Sequence, residues 1–448
     1  MEKVRVEEDL LGAVEVPLAA LYGAQTRRAI LNFPLLASRT IGDYPEMLDA
    51  LMIVKKAAAN TNLRTGYLDS RKASAVGAAA DKILAGGYSD QFPIHCLHGG
   101  GGTSANMNAN EVIANLAEES LGGCRGAYRI VHPNDDVNLH QSTNDVYPTA
   151  CHIAIVRSWP LLDQKLQDLS DGFLQSGREW GDVPHIARTC LQDAVEITFL
   201  DLLGAYAAFV ARGRARVDEA VDRLHEVNLG GTIVGRADDV PGEYFDLIIE
   251  ELRNSAGDEK FSRPANLFLA AQSPDDLIAV SSALDLLARG LIKIGKDFRL
   301  IASGPETGFG EVGLPAVQPG SSIMPGKVNP VVPEFMIQLC MQVAGKHAAC
   351  VMTLDHGELD LNIWESLIVF NILDSMELIA NAVSTFREKC LRGIQPNLEK
   401  NRRNVATVSP LVTRVTRKYG YSTISQVCKE ASGDTDRIRI LLAEKGLI

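Results

Sequence analysis

The chain has 448 residues, 46% of them hydrophobic, and a formal net charge of −12. That length suits about two to three domains with a large buried core, and the acidic balance argues against non-specific nucleic-acid binding. No run approaches the ~18 uninterrupted apolar residues of a membrane span, and the charged start from Met1 to Asp9 lacks an apolar signal region.

Eight cysteines are scattered without a CxxC pair, and nine histidines show no HExxH or comparable metal spacing. The expectation is a cytoplasmic protein with reduced, mostly core-filling cysteines and no metal site. Neither a GxGxxG nor a Walker loop is present. The glycine run Gly99 to Gly102 follows no strand-like segment, so a nucleotide reading is poor.

In chain order, apolar spacing predicts shorter helices over about 46–62, 70–86 and 104–120, split by glycine and proline loops. A long helix follows over 144–180, with bends expected at Pro148 and Pro160. Another is expected over 196–227, with 188–195 opening it. The clearest helix starts at Ser273-Pro274-Asp275-Asp276, where Ser273 can cap, Pro274 suits the first position and the aspartates favour the positive dipole end. It runs to about Ala302, roughly 40 Å of helix. A further long helix covers 361–391, and beyond Pro396 the helices shorten and the charge rises. Such helices exceed the usual ~11–12 residues. The one over 273–302 is also apolar on more than one face, so several neighbours must bury it. The expected architecture is all-α, with an N-terminal helical domain (1–140), a central long-helix bundle (141–394) and a small C-terminal helical domain (395–448). The bundle needs more helices than one chain provides, which predicts an oligomer.

The most informative segment is Gly320-Ser321-Ser322-Ile323-Met324-Pro325-Gly326-Lys327-Val328-Asn329-Pro330. Its glycines allow positive φ and close ligand approach, and its prolines oppose a continuous helix. Free N–H groups, hydroxyls and one ammonium would turn toward a small anion. A bare Gly-Ser-Ser would be an ordinary turn. The run Gly99 to Glu111 leads glycines into Thr103 and Ser104 at a helix start, which suits a carboxylate or plain capping. Between His132 and Asp145, Ser142, Thr143 and Asn144 offer three neutral polar groups in a row. Arg188 to Val195 and Asn228 to Thr232 are further polar clusters.

Together these segments resemble the fumarase/aspartase superfamily, lyases that eliminate a group from a succinate skeleton to give fumarate. The resemblance covers nearly the whole chain. Gln141-Ser142-Thr143-Asn144-Asp145 and Asn329-Pro330-Val331-Val332-Pro333-Glu334 look aspartase-like. The resemblance implies a three-domain all-α fold and a homotetramer, with each active site shared by three subunits. It also implies a small dicarboxylate substrate, no membrane or nucleic-acid partner, and no metal or organic cofactor. Ser321 would be the general base, acting as an alkoxide supported by loop N–H groups and Lys327. Thr103, Ser142, Thr143 and the Ser322–Met324 stretch would hold the β-carboxylate, where charge accumulates. Lys327, Asn329 and Thr189 would hold the α-carboxylate, and Asn144 the amino group.

This chain departs from the family pattern at three positions. His98 stands where Gln is usual, His140 where Ser or Cys is usual, and Cys190 where His, sometimes Gln, is usual. In relatives the histidine at the Cys190 position approaches the glutamate matching Glu334. Three function readings therefore stand beside ammonia elimination from L-aspartate: fumarase chemistry, a lyase for another N-functionalised succinate, and a non-catalytic crystallin-like relative. Retention of Ser321, Lys327 and Asn329 argues against the last.

Overall fold

The computed structural model describes residues 3–35 and 39–448. The chain divides into two compact units. The first comprises 1–162, 215–285 and 342–377, and the second 163–214, 286–341 and 378–448. All five boundaries fall inside the five long helices: Thr143–Glu179, Phe199–Arg223, Asp275–Ile301, Val331–Val351 and Glu365–Lys389.

The fold is mostly helical, as expected, and the helices Pro45–Arg64, Ser70–Leu84 and Thr103–Ser120 lie where the periodicity put them. Two hairpins depart from the expectation. Val4–Asp9 pairs antiparallel with Gly12–Pro17. Pro184–Thr189 pairs with Gln192–Thr198, so residues 188–195 do not open a helix, which starts only at Phe199. Val195 and Ile197 alternate with Glu196 and Thr198, a period-two pattern of strand-favouring residues overshadowed by the stronger helical period after it.

Pro148 and Pro160 both lie inside one continuous helix. A proline has no N–H to give the carbonyl four residues earlier. The carbonyl of Asn144 is satisfied instead by Asn228 Nδ2 at 3.0 Å. A side chain from another segment thus takes the place of the missing helical donor at the start of this helix.

In the first unit Val146, Ile153, Leu277, Val280, Leu284, Ile368 and Ile372 are buried along the long helices. In the second, Phe173, Tyr206, Phe298 and Phe386 form an aromatic cluster with ring centroids 5.1–6.3 Å apart. The helix beginning at Glu365 is long and apolar enough to cross a membrane by length and composition, but Ile368, Val369, Ile372, Ile379, Val383 and Phe386 are core residues. Past residue 408 the short helices enclose their own cluster of Leu411, Val415, Ile424, Val427, Ile438, Leu441 and Leu442.

Within the second unit, Gly290 of Asp275–Ile301 faces the ring of Phe209, which a Cβ would overlap. Alanine favours a helix over glycine by about 1 kcal/mol, whereas overpacking costs about 1–3 kcal/mol. Gly290→Ala is therefore expected to lower the melting temperature despite the better propensity. An unchanged or raised melting temperature would mean that Phe209 moves aside freely.

Candidate active site

The candidate residues fall into two groups, one in each unit. In the first unit the helices Thr103–Ser120 and Thr143–Glu179 begin beside each other, because Asn106 Nδ2 donates to Thr143 Oγ1 at 3.1 Å. Gly102 precedes the first of these helices with φ of 87°, and a side chain there would strike the buried ring of Tyr147. Glycine is thus required for the turn that exposes the helix start and Thr103.

The hydrogen bonds already made at these helix starts leave particular atoms free. Thr143 Oγ1 already accepts from Asn106, and Ser142 Oγ accepts from Asn144 N at 3.3 Å. Both hydroxyls therefore keep an O–H to donate. Asn144 Nδ2 donates to the Ile233 carbonyl at 2.8 Å. A carbonyl can only accept, so the amide orientation is fixed and Asn144 Oδ1 is left as an acceptor. Asp145 accepts from the N–H groups of Ser142, Gly230 and Thr232 at 3.0, 2.9 and 3.2 Å. The cluster Asn228 to Thr232 thereby joins this site.

His140 has φ of 60°, and its Nδ1 lies 2.7 Å from Asn62 Oδ1. Asn62 Nδ2 donates to the Leu139 carbonyl at 3.0 Å, so Oδ1 is an acceptor and His140 Nδ1 carries the proton. Its ring packs edge-on against Tyr67 and Tyr244, and burial lowers its pKa. His98 directs Nδ1 to the carbonyls of His95 and Cys96 at 3.1 and 3.3 Å, which makes Nε2 an acceptor. That Nε2 is buried without a partner among the described residues, and burial lowers the pKa of the ring.

A buried network behind these helix starts escaped the sequence reading. Lys55 is fully buried, and its ammonium donates to Asn138 Oδ1 at 3.0 Å and Gln141 Oε1 at 2.8 Å. Asn106 and Asn110 donate to the same Asn138 oxygen at 3.2 and 3.1 Å. Burial pushes Lys55 down to about 7 and Asp145 up to about 6. A lysine within the apolar run from Met47 to Ala59 was the available signal.

In the second unit the signature loop closes on itself. Gly320 N donates to the Lys327 carbonyl at 2.9 Å, and Asn329 Nδ2 to the Gly320 carbonyl at 2.8 Å. Between these ties Ser321 Oγ accepts the N–H groups of Ile323 and Met324 at 3.2 and 3.0 Å. Ser322, Met324 and Lys327 are exposed. Glu334 opens the following helix and pairs with Arg299 at 3.3 Å.

Thr189 and Cys190 are exposed where the hairpin Pro184–Thr198 turns, and Cys190 and Leu191 form its two-residue loop with φ of 52° and 61°. Two consecutive positive φ values match the turn that suits strand twist, usually made by Asn and Gly. The hairpin is anchored by Arg188, whose guanidinium donates to both oxygens of Glu311 at 2.6 and 3.1 Å. Glu311 is fully buried and also accepts from Asn404 Nδ2 at 2.7 Å.

The chain matches the lyase family over residues 12–345. It is 39% identical over 445 residues to the aspartate ammonia-lyase of a Bacillus species, covering 99% of this chain and 94% of the relative. At similar identity, 40% over 436 residues, it matches the class II fumarate hydratase of Ralstonia nicotianae, covering 97% and 94%. The solved fumarate lyase/delta-crystallin structure of Brucella melitensis, bound to cobalt, superposes with a TM-score of 0.95 at 42% identity, covering 100% of this chain and 96% of that one.

Glu311→Gln would leave the Arg188 guanidinium facing an amide that cannot neutralise it. Removing one partner of a buried pair costs about 3–5 kcal/mol. The variant is expected to unfold at clearly lower denaturant, checked by chemical denaturation. A loss below ~1 kcal/mol would mean that Arg188 finds Asp193, 3.4 Å away, as an adequate substitute.

Proposed function

The chain belongs to the fumarase/aspartase superfamily of lyases, and from that premise we propose that it is a carbon–nitrogen lyase, reversibly eliminating ammonia from L-aspartate to give fumarate. The observation that carries this reading is the pair of N–H groups held on Ser321 Oγ. A serine hydroxyl is too weak an acid to serve as a base unaided. Two backbone donors fixed on its oxygen favour the alkoxide over the neutral form. Lys327 in the same loop adds a positive charge, and exclusion of water would strengthen both effects.

In the proposed reaction Ser321 removes the Cβ proton. The β-carboxylate gains a second negative charge as the aci-carboxylate forms, and the amine then leaves from Cα as the double bond closes. The free O–H groups of Ser142 and Thr143, with Thr103 and Ser322–Met324, would receive the β-carboxylate as its charge grows. Lys327, Asn329 and Thr189 would receive the α-carboxylate. Asn144 Oδ1, left as an acceptor, can receive an N–H of the substrate's ammonium group, as it could the O–H of a hydroxyl. The electron sink and leaving group both belong to the substrate.

Sharing of each site among three subunits of a homotetramer is part of this reading. Leu161, Leu286, Leu300, Phe335 and Met341 are exposed on the long helices of the single chain, which supports their burial by other copies. The cytoplasmic location and the division at 140 and 394 belong to the same proposal, and the separate core past residue 408 supports a C-terminal domain.

The hairpin tip favours a second reading. Cys190 replaces the family imidazole, and within its unit Glu334 carries a guanidinium partner instead. A reshaped leaving-group end would suit a bulkier N-functionalised succinate.

Ser321→Ala is expected to abolish turnover, followed by fumarate absorbance, while light scattering and melting temperature stay those of the wild type. General-base catalysis is worth about 10²–10⁴-fold, so more than a tenth of wild-type activity would sink the assignment. Cys190→His separates the two substrate readings. If it raises aspartate turnover and lowers that of an N-substituted succinate, the reshaped pocket holds. If the wild type already deaminates aspartate efficiently and the substitution leaves the substrate ranking unchanged, aspartate is the substrate.

A further inference from the structure

We propose that Lys55 is a positioning residue and the internal counter-charge of the β-carboxylate site, tuning it to a substrate end that carries charge. This rests on the elimination reading above.

The side chain is fully buried in the helix Pro45–Arg64. Burying an ammonium is costly unless it is paired. Among the described residues its only direct partners are two neutral amide oxygens, of Asn138 and Gln141, and no carboxylate forms an ion pair with it. Asp145 acts on it by charge, but that carboxylate is already held by the N–H groups of Ser142, Gly230 and Thr232. The positive charge is therefore under-compensated in the free protein.

Both partners of Lys55 belong to the loop leading into Ser142 and Thr143. From the ammonium the connection runs to Asn138 Oδ1, back to Asn106 Nδ2 and on to Thr143 Oγ1, with steps of 3.0, 3.2 and 3.1 Å. Every step uses an acceptor atom, so Thr143 keeps its O–H for an anion. A carboxylate at Thr143 would meet both a donated O–H and the field of a buried cation that its own charge completes. Such a field discriminates by charge at this end of the ligand, which hydroxyl and amide donors alone do weakly.

The test uses the full assembly in a Ser321→Ala background, so that ligand is not consumed. Calorimetry at about pH 6.5 compares L-aspartate with L-asparagine. The shared α-ammonium and α-carboxylate fix the orientation, and only the β end differs, by one charge. Lys55→Met and Lys55→Gln are each expected to weaken aspartate about ten- to thirtyfold, as expected for loss of one nearby unit charge, and to change asparagine less than threefold. Equal losses for both ligands, or none, would overturn the proposal and leave Lys55 a packing residue. If the Lys55-bearing protein binds neither aspartate nor succinate, the elimination reading itself fails.

Should neither variant assemble, the protein with Lys55 in place decides. Burial pushes Lys55 down to about 7, and at about pH 8 a bound dianion would draw a proton onto it. Succinate binding measured in buffers of different ionisation enthalpy is then expected to take up a fraction of a proton. Zero uptake overturns the proposal.

Discussion

One oxygen organises the first unit. Asn138 Oδ1 accepts from Lys55, Asn106 and Asn110 at once, drawing together the helix Pro45–Arg64, the helix Thr103–Ser120 and the loop before Thr143. An anion site built on helix starts faces a general conflict: its donors must be held rigid, yet not consumed by whatever holds them. Here the holding is done from behind and through acceptor atoms. Thr143 and Ser142 are fixed by hydrogen bonds they accept, and Asn144 by one donated N–H and by its carbonyl. What remains unused is two O–H donors and one amide oxygen.

The second unit meets the same conflict at Ser321, the proposed base. Ser321 must be held without its oxygen being shielded as a donor to the protein. The loop is closed by Gly320, Lys327 and Asn329 through backbone carbonyls and N–H groups, and among the described residues Ser321 Oγ is approached only by donors. The hairpin bearing Thr189 and Cys190 is held by the opposite device, a buried ion pair between Arg188 and Glu311. Such a pair gives little net stability but fixes direction, because guanidinium and carboxylate meet as two flat, two-pronged groups.

Much of this was legible in the sequence where one period or one motif dominated. The helix Asp275–Ile301 could be placed to within a few residues because capping residues, dipole charges and a sustained apolar period agreed. The candidate residues around Ser142 and Ser321 were likewise contiguous strings. The hairpin Pro184–Thr198 was hidden because its alternation is short and runs straight into the longer helical period of Phe199–Arg223. Lys55, Asn138 and Glu311 were hidden for another reason. Each acts through a partner far along the chain, and a lone polar residue in an apolar stretch does not announce which distant group it satisfies.

The proposed leaving group bears on two residues, Asn144 and Cys190. At Asn144 the orientation of the amide selects an acceptor, which fits a donor group such as an ammonium or a hydroxyl and disfavours a carboxylate. At Cys190 the side chain is small, weakly polar and displayed on a turn whose backbone adopts two positive φ values without glycine. Non-glycine residues in that region cost about 1–2 kcal/mol each, and such strain persists only where the surroundings over-determine it. The Arg188–Glu311 anchor two residues before the loop is such a determinant. The tip is thus held in place by the protein rather than by its own preference, and what is held there is a thiol with room around it instead of an imidazole. A nitrogen leaving group is consistent with both features. Under the second reading proposed above, a substituent on that nitrogen is what the smaller side chain at Cys190 would accommodate.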